Sequence, residues 1–131
     1  MSELSPDEAR EAALWLKEAK EELAVAERIA GDDDLPRRIV CFHAHLAAEK
    51  AIKSLQIRRG VVVRRIHNLS ELAAGLPDED FRRFDREDLR MLNPWTIDGR
   101  YPADHDDGSH ETAGAVLEAA RRVVDAVKDG W

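Results

Sequence analysis

Arg100-Tyr101-Pro102-Ala103-Asp104-His105 places an arginine and a histidine in one short polar stretch, with four residues between them. Such a pair has the chemistry for metal-free RNA cleavage. An imidazole can take the proton from a ribose 2′-hydroxyl or return one to the leaving oxygen. A guanidinium fork can hold a phosphate and stabilise charge developing on its oxygens. In a dimer, two copies of the pair would supply an acid and a base from identical residues. The same residues admit two quieter readings. Arg100 and Tyr101 can grip a base and a phosphate without turnover, or the loop can pack against a second subunit. An arginine-histidine spacing also arises by chance in an arginine-rich chain, with Arg100 paired to Asp98 or Asp104 and His105 in solvent.

Other chemistry-bearing residues group less sharply. Glu49 and Lys53 lie one helical turn apart, with Lys50 beside Glu49, and by spacing alone they suit a surface ion pair of little energetic weight. His43 and His45 are two apart on a helix, about 200° around its axis, and cannot share one ligand face. Asp104, His105, Asp106, Asp107 and His110 resemble a loose metal-ligand set, but acids before a helix also suit its dipole, and no metal is assigned. No Gly-rich phosphate loop, zinc spacing or Ser/His/Asp motif is present, and no cofactor is expected.

The elements that must carry these residues read as helices. Ser5-Pro6-Asp7-Glu8 has the order of an N-cap, a first-turn proline and a capping-box glutamate. Ala12, Leu16, Ala19, Leu23, Ala26 and Ala30 continue it as a narrow apolar stripe until Gly31. The acidic run Asp32-Asp33-Asp34 suits the positive end of the next helix, which the pattern starts near Leu35-Pro36 and stops at Gly60. Its Ala44, Ala47, Ala48 and Ala51 form a small-residue face for close helix approach. Val61-Val62-Val63 reads as an extended connector, and a short helix follows Asn68 until Pro77. A fourth helix is expected over roughly 78–93, ended by Pro94, and a fifth from about Ser109 to Lys128. The stretch between them, 94–108, exceeds the usual 2–8 residues of a bundle connection and is where function is expected.

Composition agrees. Ala, Leu, Glu, Lys and Arg dominate, and aromatics are only 5% of the 131 residues, which disfavours a sheet. The expected fold is all-α, an up-and-down bundle of four to five helices in a single domain over residues 1–131. A formal net charge of −7 disfavours a general coater of nucleic acid. Locally the balance reverses, because Lys50 to His67 carries Lys50, Lys53, Arg58, Arg59, Arg64 and Arg65 and no acid. One cysteine, Cys41, excludes an intrachain disulfide. With no apolar run long enough to span a bilayer and no signal-peptide pattern, a cytoplasmic location is expected.

Three stretches together resemble one family. Cys41 to Lys53 ends in Ala47-Ala48-Glu49-Lys50-Ala51-Ile52-Lys53 and is similar to the A-x-E-K-x-x-K helix of HEPN domains (higher eukaryotes and prokaryotes nucleotide-binding). His67-Asn68-Leu69, followed by Leu72, resembles the family's H-[DN]-L-x-x-L helix start. Gly99-Arg100-Tyr101-Pro102 resembles its R-Y-P loop. Order and spacing agree over most of the chain. The resemblance implies a helical bundle that commonly forms homodimers and binds nucleotide or single-stranded RNA; it places Glu49, Lys50 and Lys53 near the nucleotide-facing cleft, which makes Lys50 and Lys53 candidate nucleotide- or RNA-binding residues. It also implies, as partner, a separately encoded minimal nucleotidyltransferase in a toxin–antitoxin-like pair. Some members are metal-independent ribonucleases with an R-x(4–6)-H motif, which Arg100 and His105 match in spacing. Tyr101 stands where that motif usually has a polar residue. Asp107 stands where some toxins carry a modified tyrosine, so that form of control is not implied.

Overall fold

The computed structural model describes residues 4–96 and 109–131. Among these residues there are six helices and no strand: α1 (Pro6–Ala30), α2 (Arg37–Arg58), α3 (Leu69–Ala74), α4 (Asp78–Phe81), α5 (Arg86–Leu92) and α6 (His110–Gly130). No helix among them is long and apolar enough to cross a membrane.

Local chemistry explains most of the boundaries. Ser5 caps α1 by accepting a hydrogen bond from the Glu8 amide at 3.1 Å, with Pro6 in the first turn. Asn68 does the same for α3 through Glu71, and Ser109 for α6 through Thr112, both at 3.0 Å. Gly60 ends α2 with φ +69°, a left-handed conformation that glycine adopts without steric cost.

One boundary differs from the sequence expectation. The helix expected over 78–93 is broken into α4 and α5. Asp85 interrupts it, accepting a hydrogen bond from the Glu87 amide at 2.8 Å as the N-cap of α5. Phe84 still reaches the core from the turn between them. α2 starts where expected, with Pro36 as its N-cap, but it has no side-chain cap bond and no acid in its first turn. Instead Arg37 reaches backwards. Its guanidinium donates to the carbonyls of Ala30 (3.1 Å), Ile29 (3.3 Å), Leu35 (3.0 Å) and Asp32, satisfying carbonyls at the C-terminal end of α1 and in the following turn.

α2 is the central helix. Ala44, Ala47, Ala48 and Ala51 are fully buried, as are Ala12, Ala19 and Ala26 on α1, one heptad apart. Small side chains on both helices let the backbones approach closely. Ile52 and Leu55 of α2 join Val116, Ala120, Val123 and Val127 of α6 in the same core. Contacts at the ends fix the directions. His110, at the start of α6, lies 3.8 Å from Asp33 just before α2, and Arg59, just after α2, donates to the Gly130 carbonyl at the end of α6. α2 and α6 therefore run parallel, and α1 runs against both. The broken limb α3–α5 returns between them: Asp80 meets Arg59 at one end, and Leu92 meets His45 farther up α2. This is the up-and-down bundle, with its third limb in pieces.

Candidate functional site

His45, Glu49 and Lys53 follow one another at four-residue intervals, so α2 presents them on one face, successive turns apart. Glu49 is only 5% exposed. A lone carboxylate buried this deeply would be expensive to ionise, so its surroundings must supply donors. They do. His67 Nδ1 lies 2.7 Å from Glu49 Oε1, and Lys53 Nζ lies 3.3 Å from Oε2. His45 Nε2 approaches Oε1 at 3.5 Å, a longer polar contact. Burial pushes the carboxyl pKa up. The approach of His45, the hydrogen bond from His67 and the charges of Lys53 and His67 outweigh burial and hold it at about 2.

The flanks of this cluster come from other elements. His45 is fully enclosed, and its Nδ1 lies 2.9 Å from the Leu92 carbonyl. A carbonyl can only accept, so Nδ1 carries a hydrogen and Nε2 is the nitrogen turned towards Glu49. Nε2 has no hydrogen bond of good geometry, and it favours the carboxylate only when it too carries a proton. Lys53, 7% exposed, places its ammonium over the Trp15 ring of α1, 5.7 Å from the centroid. Asn93 braces the neighbouring helix start, its side-chain oxygen accepting from the Leu69 amide at 2.8 Å. α1, α2, α5 and the connector before α3 thus converge on Glu49.

The two candidate lysines have separate fates. Lys53 belongs to the buried cluster. Lys50 turns to α1 and pairs with Glu18 at 3.3 Å and Glu22 at 3.5 Å. His43 also meets Glu22, at 3.1 Å, whereas His45 points to α5, so the two histidines face apart as their spacing requires. The basic stretch 50–67 is largely neutralised by the fold. Arg59 binds Asp80 through two hydrogen bonds, 2.7 and 3.2 Å, and that bond lowers the Asp80 carboxyl pKa against the effect of burial. Arg58 stacks on the Trp131 ring at 4.4 Å. Arg64 and Arg65 remain exposed, with no ion pair to a described residue.

Arg100, Tyr101 and His105 lie outside the described residues, as do Asp98, Asp104, Asp106 and Asp107. His110 is described and sits exposed in the first turn of α6 beside Asp33. Among the described residues no group of three His, Cys, Asp or Glu side chains is arranged to hold a metal. Sequence reasoning did not single out Glu49 as a hub or His67 as its closest partner. The signal for the first was present in the four-residue spacing of His45, Glu49 and Lys53. The second, eighteen residues on, needed the fold.

Fold and site together define the class: an all-helical bundle whose central helix buries an ionised glutamate among two histidines and a lysine. The HEPN domain family model matches residues 12–130, and the chain belongs to the HEPN family. Among solved structures, TT1696 from Thermus thermophilus is 28% identical with a TM-score of 0.74, over 92% of this chain and 98% of that one. ST0689, an archaeal HEPN homologue, is 23% identical with a TM-score of 0.71, over 91% of this chain and 96% of that one, and supports the fold. No curated protein matches the chain.

Proposed function

We propose that the chain is a nucleotide- or RNA-binding HEPN protein, homodimeric, that works beside a separately encoded minimal nucleotidyltransferase. The observation that carries this reading is the meeting of two family stretches at one point. Glu49 and Lys53 come from the A-x-E-K-x-x-K helix and His67 from the H-N-L helix start, and both partners bind the Glu49 carboxylate. The third stretch, Gly99 to Pro102, begins seven residues after Leu92, whose carbonyl is bound by His45. A charged centre buried in a helical core is costly unless fully paired, and such centres concentrate where ligands are handled. In this reading Arg100 and Tyr101 hold phosphate and base, and Lys50 and Lys53 join them by exchanging their Glu18, Glu22 and Glu49 partners for phosphate.

Titration of single-stranded RNA and of nucleoside triphosphates against wild type and Arg100→Ala tests it. Weakened binding in the variant, with no turnover in either protein, is the expected result. Absence of binding at submillimolar ligand would end it. The second reading, a metal-independent ribonuclease using Arg100 and His105, is favoured by their spacing. Incubation with mixed single-stranded RNA in excess chelator separates the two. Cleavage by wild type but not by His105→Ala would establish the enzyme. Cleavage that persists in the variant would remove His105 from the mechanism.

A further inference from the structure

Beside the alanine contact of α1 and α2 runs a seam of charged side chains. On α1 the seam holds Trp15, Glu18 and Glu22, whose spacings of three and four keep them on one helix face. On α2 it holds Lys53, Lys50 and His43, met in reverse order because the two helices are antiparallel. Lys53 Nζ lies 5.7 Å from the centre of the Trp15 ring. Lys50 Nζ lies 3.3 Å from Glu18 Oε1 and 3.5 Å from Glu22 Oε2. Glu22 turns its other oxygen to His43 Nδ1, at 3.1 Å. The step from Trp15 to Glu18 thus answers the equal step from Lys53 back to Lys50.

Each ammonium of the seam already has an anion. Lys53 faces Glu49, and Lys50 faces the carboxylates of Glu18 and Glu22 together. The Lys50 pair is open to solvent, with 22% of the lysine side chain and 55% of the Glu18 side chain exposed. An ion pair this open adds little stability, so another anion can displace the carboxylate at small cost. Which anion does so depends on its charge. A phosphate monoester carries about −1.5 to −2 near neutral pH, more than a carboxylate, and presents three acceptor oxygens. An internal phosphodiester carries a single charge, so it has no electrostatic advantage over the glutamates.

We propose that Glu18 and Glu22 are specificity-determining residues: they occupy Lys50 as internal anions, which a terminal phosphate displaces and an internal phosphodiester does not. The ligand class is then a free nucleotide or a phosphorylated strand end, in preference to the interior of an RNA strand. This rests on the reading above that Lys50 and Lys53 receive phosphate. It asks nothing of Arg100, Tyr101 or His105.

The test uses the full chain and three probes: ATP, and a labelled ten-nucleotide oligouridylate with either a phosphate or a hydroxyl at its 5′ end. Calorimetry and anisotropy give the affinities, and melting temperatures report that each variant is folded. Wild type should bind ATP, the phosphorylated strand or both more tightly than the hydroxyl-ended strand, and which of the two is preferred names the source of the phosphate. Glu18→Gln and Glu22→Gln should each bind the hydroxyl-ended strand about 2- to 5-fold more tightly, with a smaller gain for the other probes, so that the preference narrows. In a Lys50→Met background Glu18→Gln should give no gain. Glu27→Gln removes the same charge from the same helix, but Glu27 faces Arg121 of α6 at 3.1 Å, and its preference should stay that of wild type. An unchanged preference in Glu18→Gln and Glu22→Gln, or an equal gain in Glu27→Gln, would overturn the proposal and leave the nucleotide-binding reading intact. Failure of wild type to bind any of the three probes would overturn both.

Discussion

Glu49 and His67, eighteen residues apart in sequence, share a 2.7 Å hydrogen bond that joins the middle of the central helix to the connector before α3. It makes the buried carboxylate a tie between two segments of the chain. Its strength depends on Glu49 being charged, which gives it a pH signature.

The Glu49 pKa is lowered from 4.5 to about 2 on folding. A carboxylate depressed in the folded state contributes stability above its unfolded pKa and loses it as pH falls through the folded value. The contribution should be complete above about pH 4.5 and be lost as pH falls through about 2. Asp80, also lowered, acts in the same direction. Thermal unfolding followed from pH 6 to 2 should therefore show a falling melting temperature in wild type. A shallower fall is expected in Glu49→Gln, which starts about 2 kcal/mol less stable because its buried partners lose their counter-charge. Parallel curves for the two proteins would mean that Glu49 is not held ionised by the fold.

Arg37→Ala removes the donor shared by the carbonyls of Ile29, Ala30, Asp32 and Leu35, where α1 ends and the chain turns into α2. Several carbonyls would lose a charged partner at once, at a cost of about 2–3 kcal/mol. Chemical denaturation should show a lower midpoint with an unchanged slope. Arg37→Lys should recover little, since an ammonium cannot reach the same set of carbonyls from one position. Full recovery with lysine would mean that charge alone, rather than the fork, closes the turn.

Ala48 sits fully buried on the face of α2 built from small residues. Ala48→Leu adds volume where nothing can yield cheaply, and a loss of about 1–3 kcal/mol is expected. Equal stability of the variant in urea denaturation would show that the helices are not closely packed there.

Tyr101 has two roles open to it, a dimer contact or a ligand grip. If it is the former, wild type should run at twice the chain mass in light scattering and Tyr101→Ala at the single mass. A variant that stays dimeric would leave Tyr101 to the ligand.

Much of the bundle was legible in the sequence because its signals are local. Ser5, Asn68 and Ser109 cap as their positions suggest, Gly60 stops α2, and the alanines of α2 are the ones buried. The break between α4 and α5 was legible only in part. Phe84 and Leu89 are five residues apart, which disrupts a helical rhythm, and Asp85 precedes two further acids, a helix-start pattern. Arg37 was hidden because a side chain reaching backwards over a turn leaves no periodic trace. The Glu49 centre was half visible: its partners on α2 recur every four residues, but His67 arrives from beyond the next turn, and only the path of the connector brings it there. Arg100, Tyr101 and His105 remain a reading of the sequence, since they lie outside the described residues.

The chain enters and leaves the stretch 97–108 from independently secured points. On one side Trp95 is buried and the Leu92 carbonyl is bound by His45; on the other, Ser109 caps α6 through Thr112. Both of these hydrogen bonds are made between residues outside the stretch. Each of these two helix ends therefore carries its own clasp, a ring nitrogen on the Leu92 carbonyl and a hydroxyl on the Thr112 amide, closed by donors and acceptors of the described residues.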